Sequence, residues 1–177
     1  MTNLSIVYSD DFSKHISPSG HPENSDRCKK IFDFISKSEL ITRIHVCKPK
    51  LYSKGVVELV HSRDYIDSIR DKCQAGQTML GEDTFLSKSS YDSAMLSAFA
   101  GLTAMDLIVD KKDSRAFVLS RPPGHHAGVN YAKGFCIFNN IAVLAKYAKI
   151  KYSLKKVFIF DFDVHHGNGT QDIFYDD

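Results

Sequence analysis

The sequence predicts an α/β domain in which a parallel sheet is flanked by helices. Ala116–Leu119 and Val157–Phe160 are short, wholly apolar runs, which is typical of strands buried on both faces. A helical pattern from about Asn140 to Lys151 lies between them, as the crossover between parallel strands requires. The chain has 177 residues, of which 43% are hydrophobic and 25% are charged, and this composition suits one globular domain.

The elements of the N-terminal half follow from their apolar spacing. Leu4–Tyr8 is an apolar run that ends at polar residues, and Ile44–Cys47 precedes a proline, so both are predicted strands. Helical spacing begins at Ser25, after a loop rich in turn-forming residues. Val56–Val60 and Tyr65–Cys73 are predicted to form short helices.

The longest helical candidate is Ser87–Asp110, whose many small residues suit packing against a sheet. Gly101 within it is either a local weakness or a point of close approach. Gly169–Tyr175 has the pattern of a further helix. The strand Val157–Phe160 needs neighbours, yet few predicted strands are there to supply them. It is therefore either an edge strand or part of a larger domain, of which residues 1–177 form the N-terminal part.

The charge balance and the absence of targeting patterns exclude several classes of protein. Lysine and arginine number 23 and aspartate and glutamate number 21, so no nucleic-acid or membrane binding is expected. Neither a secretory signal nor an apolar stretch of about 18 residues is evident, which favours a cytoplasmic location. The cysteines form no CxxC pair and are expected to be reduced and buried: Cys28, Cys47, Cys73 and Cys136.

The densest group of potential metal ligands follows the last predicted strand. Alternate side chains of an extended backbone point the same way, so Asp161, Asp163 and His165 are expected on one face. The carboxyl end of a parallel strand is also where α/β sheets place ligands. Carboxylate oxygens and an imidazole nitrogen suit zinc or another divalent transition metal. The plainer alternative, that polar residues simply end the strand, leaves three potential ligands unexplained.

A second polar group follows the strand Ala116–Leu119 and is expected at the same edge of the sheet. Two prolines and a glycine in Arg121–Gly124 shape the loop that leads to His125 and His126. Histidine is the usual general acid or base near neutral pH, and adjacent histidines need not both bind metal. Histidines in a loop are weak evidence alone, but beside the aspartate–histidine group they indicate catalysis.

Three long motifs stand out in the second half of the chain: RPPGHHA at 121–127, GFCIFNN at 134–140 and DFDVHHGNGTQDIFY at 161–175. These motifs resemble the histone deacetylase family and its bacterial relatives, the acetoin-utilisation and acetylpolyamine deacetylases. Weaker matches are HPE at 21–23 followed by Arg27, VHSRDYI at 60–66 and GEDTF at 81–85. The HPE motif followed by Arg27, together with Asn168 in the last long motif, resembles the class II branch of the family more than class I. The resemblance implies an arginase-deacetylase fold, truncated here at its C-terminal side, with one catalytic zinc.

The resemblance also implies roles for the residues of the two groups. His125 and His126 resemble the tandem catalytic histidines, and Asp161 resembles the carboxylate that orients His125. Asn168 takes the place facing His126, where other members have aspartate. Because an amide stabilises an imidazolium less than a carboxylate does, His126 is expected to protonate differently.

Further roles are implied for the metal and the substrate. Asp163 and His165 resemble two zinc ligands. Gly134 and Phe135 resemble the wall of an acyl-lysine tunnel, and Asp83 resembles a rim carboxylate that holds the substrate backbone. Arg27 resembles an arginine that lines an acetate channel. Backbone carbonyls near residues 161, 163, 165 and 174 match positions that bind a structural potassium ion in relatives. The family's third zinc ligand, an aspartate, and its catalytic tyrosine would lie beyond Asp177, and nothing in this sequence clearly replaces them.

Three functions compete. The leading hypothesis is a zinc-dependent deacetylase that hydrolyses an acetylated protein, peptide or polyamine, represented by the N-terminal part of its domain. The alternative is an inactive remnant or binding module that lacks the third zinc ligand and the tyrosine. A third is a hydrolase of the related arginase type with two manganese ions, which the paired histidines after ProProGly make less favoured. The sequence leaves the natural substrate and the oligomeric state open.

Overall fold

The computed structural model describes residues 4–110 and 113–177. Its strands are β1 (Leu4–Val7), β2 (Ile44–Cys47), β3 (Met79–Leu80), β4 (Thr84–Phe85) and β5 (Arg115–Val118). Its α-helices are α1 (Arg27–Ser36), α2 (Arg63–Gln74), α3 (Ser90–Val109), α4 (Asn140–Tyr152) and α5 (Asn168–Phe174). Short 3-10 helices lie at Asp10–Lys14, Glu39–Arg43 and Lys54–Leu59, the last of which replaces the helix predicted at Val56–Val60.

A parallel sheet of three strands in the order β2-β1-β5 forms the base of the molecule. Leu4 of β1 pairs with Ile44 of β2 and with Arg115 of β5. The central strand is buried, with Ile6 and Val7 almost completely shielded from solvent. Strands β3 and β4 form a separate antiparallel ribbon. The predicted α/β class and its parallel sheet are therefore confirmed.

Helix α3 joins the sheet to α2 and α4, since it packs against β1, β5 and both of these helices. A side chain at Gly101 would come within 3.7 Å of the Leu144 side chain on α4. That distance is an ordinary van der Waals contact, so the packing of α3 on α4 does not require glycine at position 101. By length and composition α3 is apolar enough to cross a membrane, contrary to the sequence expectation, but 72% of its most apolar stretch is buried in the fold.

The prediction of a strand at Val157–Phe160 is wrong. The segment pairs with no strand in the part of the chain that the structure describes. Phe158 is 88% exposed, and Phe160 and Phe162 are also largely exposed. An extended segment becomes a strand only when a neighbour supplies its hydrogen bonds, and no described strand lies alongside it.

All four cysteines are free thiols, as expected. Cys28, Cys73 and Cys136 are buried, while Cys47 is half-buried, so burial was correctly predicted for three of them. Burial raises the pKa of the Cys136 thiol to about 12, which keeps it protonated and unreactive at neutral pH.

Candidate active site

The loop after β5 carries the paired histidines and packs tightly against the start of α4. A side chain at Gly124 would meet the backbone nitrogen of Asn140 at 2.5 Å, so only glycine allows this approach. The Asn140 side chain donates a hydrogen bond to the Pro122 carbonyl at 3.1 Å. These contacts fix the backbone from which His125 and His126 project.

Arg121 anchors the same loop and is fully buried. Its Nε and Nη2 donate to the two carboxylate oxygens of Glu23 at 2.7 and 2.8 Å, and its Nη1 donates to the Phe12 carbonyl at 2.8 Å. Burial alone would raise the pKa of Glu23, but the Arg121 guanidinium outweighs it and lowers that pKa. This ion pair was not predicted from the sequence, in which the one local signal is an arginine two residues after the apolar run Ala116–Leu119.

Helix α5 is brought to the histidine loop by close backbone contact. A side chain at Gly169 would lie 2.3 Å from the Ala127 carbonyl oxygen, so the helix and the loop touch without a side chain between them. The Asn139 side-chain amide donates to the same carbonyl at 3.0 Å. This contact places Asn168, the first residue of α5, beside His126.

Each of the two histidines has a hydrogen-bond partner. His125 Nδ1 lies 2.8 Å from Oδ2 of Asp161, and His126 Nδ1 lies 2.7 Å from Oδ1 of Asn168. The ring centroids of the histidines are 4.0 Å apart. A carboxylate and an amide oxygen only accept hydrogen bonds, so in both rings the hydrogen of this bond is on Nδ1. The expected pairings are present.

Asp163 and His165 also lie close together. Oδ1 of Asp163 is 3.1 Å from His165 Nδ1 and accepts a hydrogen bond from the His165 backbone at 2.8 Å. That backbone bond is the main reason why the pKa of Asp163 is lowered, so this carboxylate is ionised at neutral pH. The ring centroid of His165 lies 6.1 Å from that of His126.

These side chains meet in one cavity of about 360 Å³. The residues that line it are Asp83, Pro123, His125, His126, Lys133, Gly134, Phe135, Asp163 and His165. The cavity thus combines the paired histidines, the Asp163–His165 pair and the three residues for which substrate contacts were predicted. Lys133 was not singled out from the sequence.

The wall of the cavity depends on Gly134 and Phe135. Both have positive φ angles, of 57° and 68°, a conformation that is costly for phenylalanine. A side chain at Gly134 would lie 2.2 Å from Cδ2 of His126, so glycine is required beside this ring. Both carboxylate oxygens of Asp83 accept a hydrogen bond from the Gly134 nitrogen, at 3.0 and 3.2 Å. In this structure Asp83 therefore supports the wall.

Phe135 is held in place by aromatic contacts between residues that are far apart in the sequence. The His21 ring packs edge-on against Phe135 and Phe85, with centroid distances of 4.5 and 5.1 Å. The backbone nitrogen of Phe135 donates to Thr84 Oγ1 at 3.2 Å. His21 belongs to the HPE motif. Its packing role depends on the β3–β4 ribbon, which supplies Phe85, and cannot be inferred from the motif alone.

Arg27 lies behind the histidine loop and does not line the cavity. Its Nη2 is 3.4 Å from Oε1 of Glu23 and from the Ser120 carbonyl oxygen. It therefore sits beside the buried Arg121–Glu23 pair. The acetate-channel role implied by the resemblance stays a prediction.

The chemistry of Asp163 and His165 fits part of a zinc site. Two donors bound at about 2.0 Å to one tetrahedral ion lie about 3.3 Å apart, close to the spacing of Asp163 Oδ1 and His165 Nδ1. Within residues 4–110 and 113–177, no group of three or more His, Cys, Asp or Glu is arranged to hold a metal ion. Asp163 and His165 would thus supply two of the positions that zinc needs.

Comparison with known proteins agrees with this geometry. The crystal structure of the HDA15 HD domain superimposes with a TM-score of 0.91 at 32% identity, over 98% of this chain and 51% of that chain. The histone deacetylase 10, chloroplastic, of Oryza sativa subsp. japonica is 38% identical, over 89% of this chain and 39% of the relative. A probable deacetylase of Methanothermobacter thermautotrophicus is 36% identical, over 97% and 50% respectively.

A histone deacetylase-like amidohydrolase of Pseudomonas aeruginosa is 36% identical over 88% of this chain. The chain spans about half the length of the curated relatives it matches. The parallel sheet with its flanking helices is the arginase-deacetylase fold. The histone deacetylase domain matches residues 21–177. The chain therefore belongs to the histone deacetylase family.

Proposed function

We propose that this protein is a zinc-dependent hydrolase that removes the acetyl group from an acetylated amine, such as acetyl-lysine in a protein or peptide. The observation that carries the proposal is the convergence of His125, His126, Asp163 and His165 on one cavity. Membership of the deacetylase family supports the reaction class and disfavours a two-manganese site of the arginase type.

The proposed roles follow from the hydrogen bonds of each side chain. Zinc held by Asp163 and His165 would polarise the amide carbonyl and lower the pKa of water. His126 Nε2 accepts the proton of the attacking water, because its Nδ1 already donates to Asn168. His125, which donates to the Asp161 carboxylate, protonates the leaving amine.

The remaining residues shape the substrate site in this proposal. Phe135, beside the Gly134 backbone, excludes water from an uncharged acyl chain, and Asp83 keeps that wall in place. Arg27 lies behind the histidine loop, where a released acetate ion would find a positive charge. Backbone carbonyls near residues 161, 163, 165 and 174 would hold the structural potassium ion.

We propose a cytoplasmic location for the protein. We also propose that residues 1–177 form the N-terminal part of one deacetylase domain.

A second candidate is a binding module without turnover. It is favoured by one observation, namely that the described residues offer zinc two ligands rather than three. On this view the cavity binds an acetylated segment and releases it unchanged. Zinc content and turnover distinguish the two functions.

The experiment measures acetate release from an acetyl-lysine peptide and from an acetylpolyamine by the longest natural form of the protein. We expect release from at least one substrate and a loss of about 100-fold or more in Asp163→Asn, which removes a charged metal ligand. Asp64→Asn, at an exposed carboxylate of α2, is the matched control and should be fully active. Binding of both substrates without acetate release would favour the second candidate.

A further inference from the structure

A chain of hydrogen bonds continues from His126 away from the cavity and ends at a carboxylate. Behind the bond between His126 and Asn168, the Nδ2 of Asn168 donates to Tyr131 Oη at 3.2 Å. Tyr131 Oη in turn donates to Oδ2 of Asp172 at 2.5 Å. Asp172 lies one helical turn beyond Asn168 on α5. Neither Tyr131 nor Asp172 has a part in the function proposed so far.

The direction of each bond is dictated by the chemistry of Asp172. Tyr131 Oη donates to the carboxylate of Asp172, so its hydroxyl hydrogen points to that carboxylate. Tyr131 is 37% exposed, and partial desolvation, followed by the bond to Asp172, raises its pKa, so the hydroxyl keeps that hydrogen. With its hydrogen engaged, Tyr131 Oη can only accept from Asn168. The amide must then present its NH₂ group to Tyr131 and its oxygen to His126.

This orientation decides which nitrogen of His126 is protonated. When the Asn168 oxygen faces Nδ1, the neutral ring carries its hydrogen on Nδ1 and keeps a lone pair on Nε2. When the NH₂ group faces Nδ1, the hydrogen moves to Nε2, and the ring can no longer accept a proton there. An aspartate at position 168 has two equivalent oxygens and would not present this choice.

The position of Tyr131 is itself fixed by a tight turn. The Gly128 nitrogen donates to the Tyr131 carbonyl at 3.1 Å. A side chain at Gly128 would lie 2.2 Å from Cε1 of the Tyr131 ring, so the ring packs directly on the glycine backbone. The hydroxyl is thereby held between Asn168 and Asp172.

We propose that Tyr131 and Asp172 are positioning residues that fix the amide of Asn168 and thereby the tautomer in which His126 accepts a proton. The catalytic consequence rests on the proposed function. The tautomer itself does not, because it is a property of the protein without substrate. The two can therefore be tested separately.

The first test reads the tautomer of His126 by NMR of the longest natural form of the protein with ¹⁵N-labelled histidine, at a pH where the ring is neutral. The His126 signals are assigned by their loss in His126→Gln. We expect a protonated Nδ1 in the parent protein and a mixture of tautomers in Tyr131→Phe. The matched control is Tyr152→Phe, which removes a tyrosine–aspartate hydrogen bond of 2.6 Å to Asp106, outside the cavity, and should leave His126 unchanged.

A second variant keeps the proposal testable if Tyr131→Phe does not fold. In Asp172→Ala the Tyr131 hydroxyl is free to donate to Asn168, so the amide should reverse and the Nε2–H tautomer of His126 should increase. If the tautomer of His126 is unchanged in every folded variant of this pair, the proposal is overturned.

The third comparison uses Asn168→Asp, in which the amide choice is absent. Adding Tyr131→Phe to this background should leave the tautomer of His126 unchanged.

For acetyl-lysine hydrolysis, Tyr131→Phe should lower kcat roughly 10-fold, the effect of one lost polar hydrogen bond, with KM nearly constant. That loss should largely disappear in the Asn168→Asp background, and an equal loss in both backgrounds would overturn the proposal. If no form of the protein releases acetate, the proposed function fails, while the NMR comparison still decides the positioning role.

Discussion

His125 and His126 are neighbours in the chain, yet they face partners of different charge. His125 donates to the carboxylate of Asp161, and such charge-assisted bonds are roughly twice as strong as neutral ones. His126 donates to the neutral amide of Asn168. A carboxylate stabilises an imidazolium more than an amide does, which suits His125 to the role of proton donor. His126, whose partner is neutral, suits the role of proton acceptor. The different partners therefore support different roles.

The first prediction concerns His126. In the active form of the protein, His126→Ala should lower turnover of an acetyl-lysine peptide by roughly 100-fold or more, the effect of a lost general base. Zinc content should be unchanged because His126 has no assigned metal bond. His166→Ala, at an exposed histidine that does not line the cavity, should be active. Loss of one zinc per chain in His126→Ala would show that His126 is a ligand instead.

At the scale of the elements, the site depends on how closely α5 approaches the histidine loop. Gly169 lies against the carbonyl of Ala127. Asn168 precedes it in the chain and contacts His126. Any displacement of α5 therefore changes the distance between these two side chains.

The second prediction follows from this contact. In Gly169→Ala the new methyl group would lie about 2.3 Å from the Ala127 carbonyl oxygen, and backbone atoms must shift to relieve it. We expect a loss of about 1–3 kcal/mol in the free energy of unfolding, typical of overpacking, measured by urea titration. Gly55→Ala, where the nearest contact is a side-chain oxygen at 3.7 Å, should change it by less than about 0.5 kcal/mol. Equal effects of the two substitutions would contradict the close packing of α5.

The elements differ in how far the sequence could predict them. Helices could be predicted because their hydrogen bonds are local. Helix α2 has one apolar face with a 3.6-residue period, whereas α3 and α4 are apolar on most sides and stand out as long runs of small and apolar residues. Val157–Phe160 was predicted as a strand from the same kind of local pattern, but a strand also needs a neighbour. Strands β3 and β4 have two residues each and are too short to show a period.

The same distinction applies to the site. The histidines and aspartates were predicted because their residue types carry the chemistry and their motifs are contiguous. Arg121 and Glu23 are separated by 98 positions, and Tyr131 and Asp172 by 41, so no local spacing links them. Both contacts depend on the three-dimensional fold and could not be predicted from the sequence.

At the scale of the whole molecule, the described part of the chain leaves an apolar segment uncovered. Phe158, Phe160 and Phe162 are between 74% and 88% exposed, and no described strand pairs with the segment. Exposed apolar area costs about 25 cal/mol per Å², and uncovered strand edges favour aggregation.

The third prediction is that a chain ending at Asp177, studied by itself, is poorly soluble or partly unfolded. With only Asp163 and His165 as assigned ligands it should bind zinc weakly and should not hydrolyse an acetyl-lysine peptide. Thermal melting, zinc stoichiometry and turnover measure these properties. A monomer that melts cooperatively, binds one zinc tightly and turns over substrate would contradict the prediction and would require a third ligand within these residues.

The fourth prediction concerns pH. Burial lowers the pKa of both His15 and His61 to about 4, below the usual value of about 6.5. Because the unfolded chain binds these protons first, stability is complete above about pH 6.5 and is lost as the pH falls towards 4. We expect the free energy of unfolding to fall by about 2 kcal/mol for each histidine between pH 7 and pH 5. Urea titrations at both pH values that gave the same free energy would contradict this.

The metal centre is tested most directly by a zinc titration of the metal-free protein in its longest natural form, followed by the rate of acetate release from an acetyl-lysine peptide. We expect the rate to rise with added zinc and to saturate at about one ion per chain. His165→Ala should abolish the response, and His166→Ala, at the exposed neighbour, should preserve it. A rate that is independent of zinc, or a full response in His165→Ala, would contradict the assignment of Asp163 and His165 as the metal centre of a deacetylase.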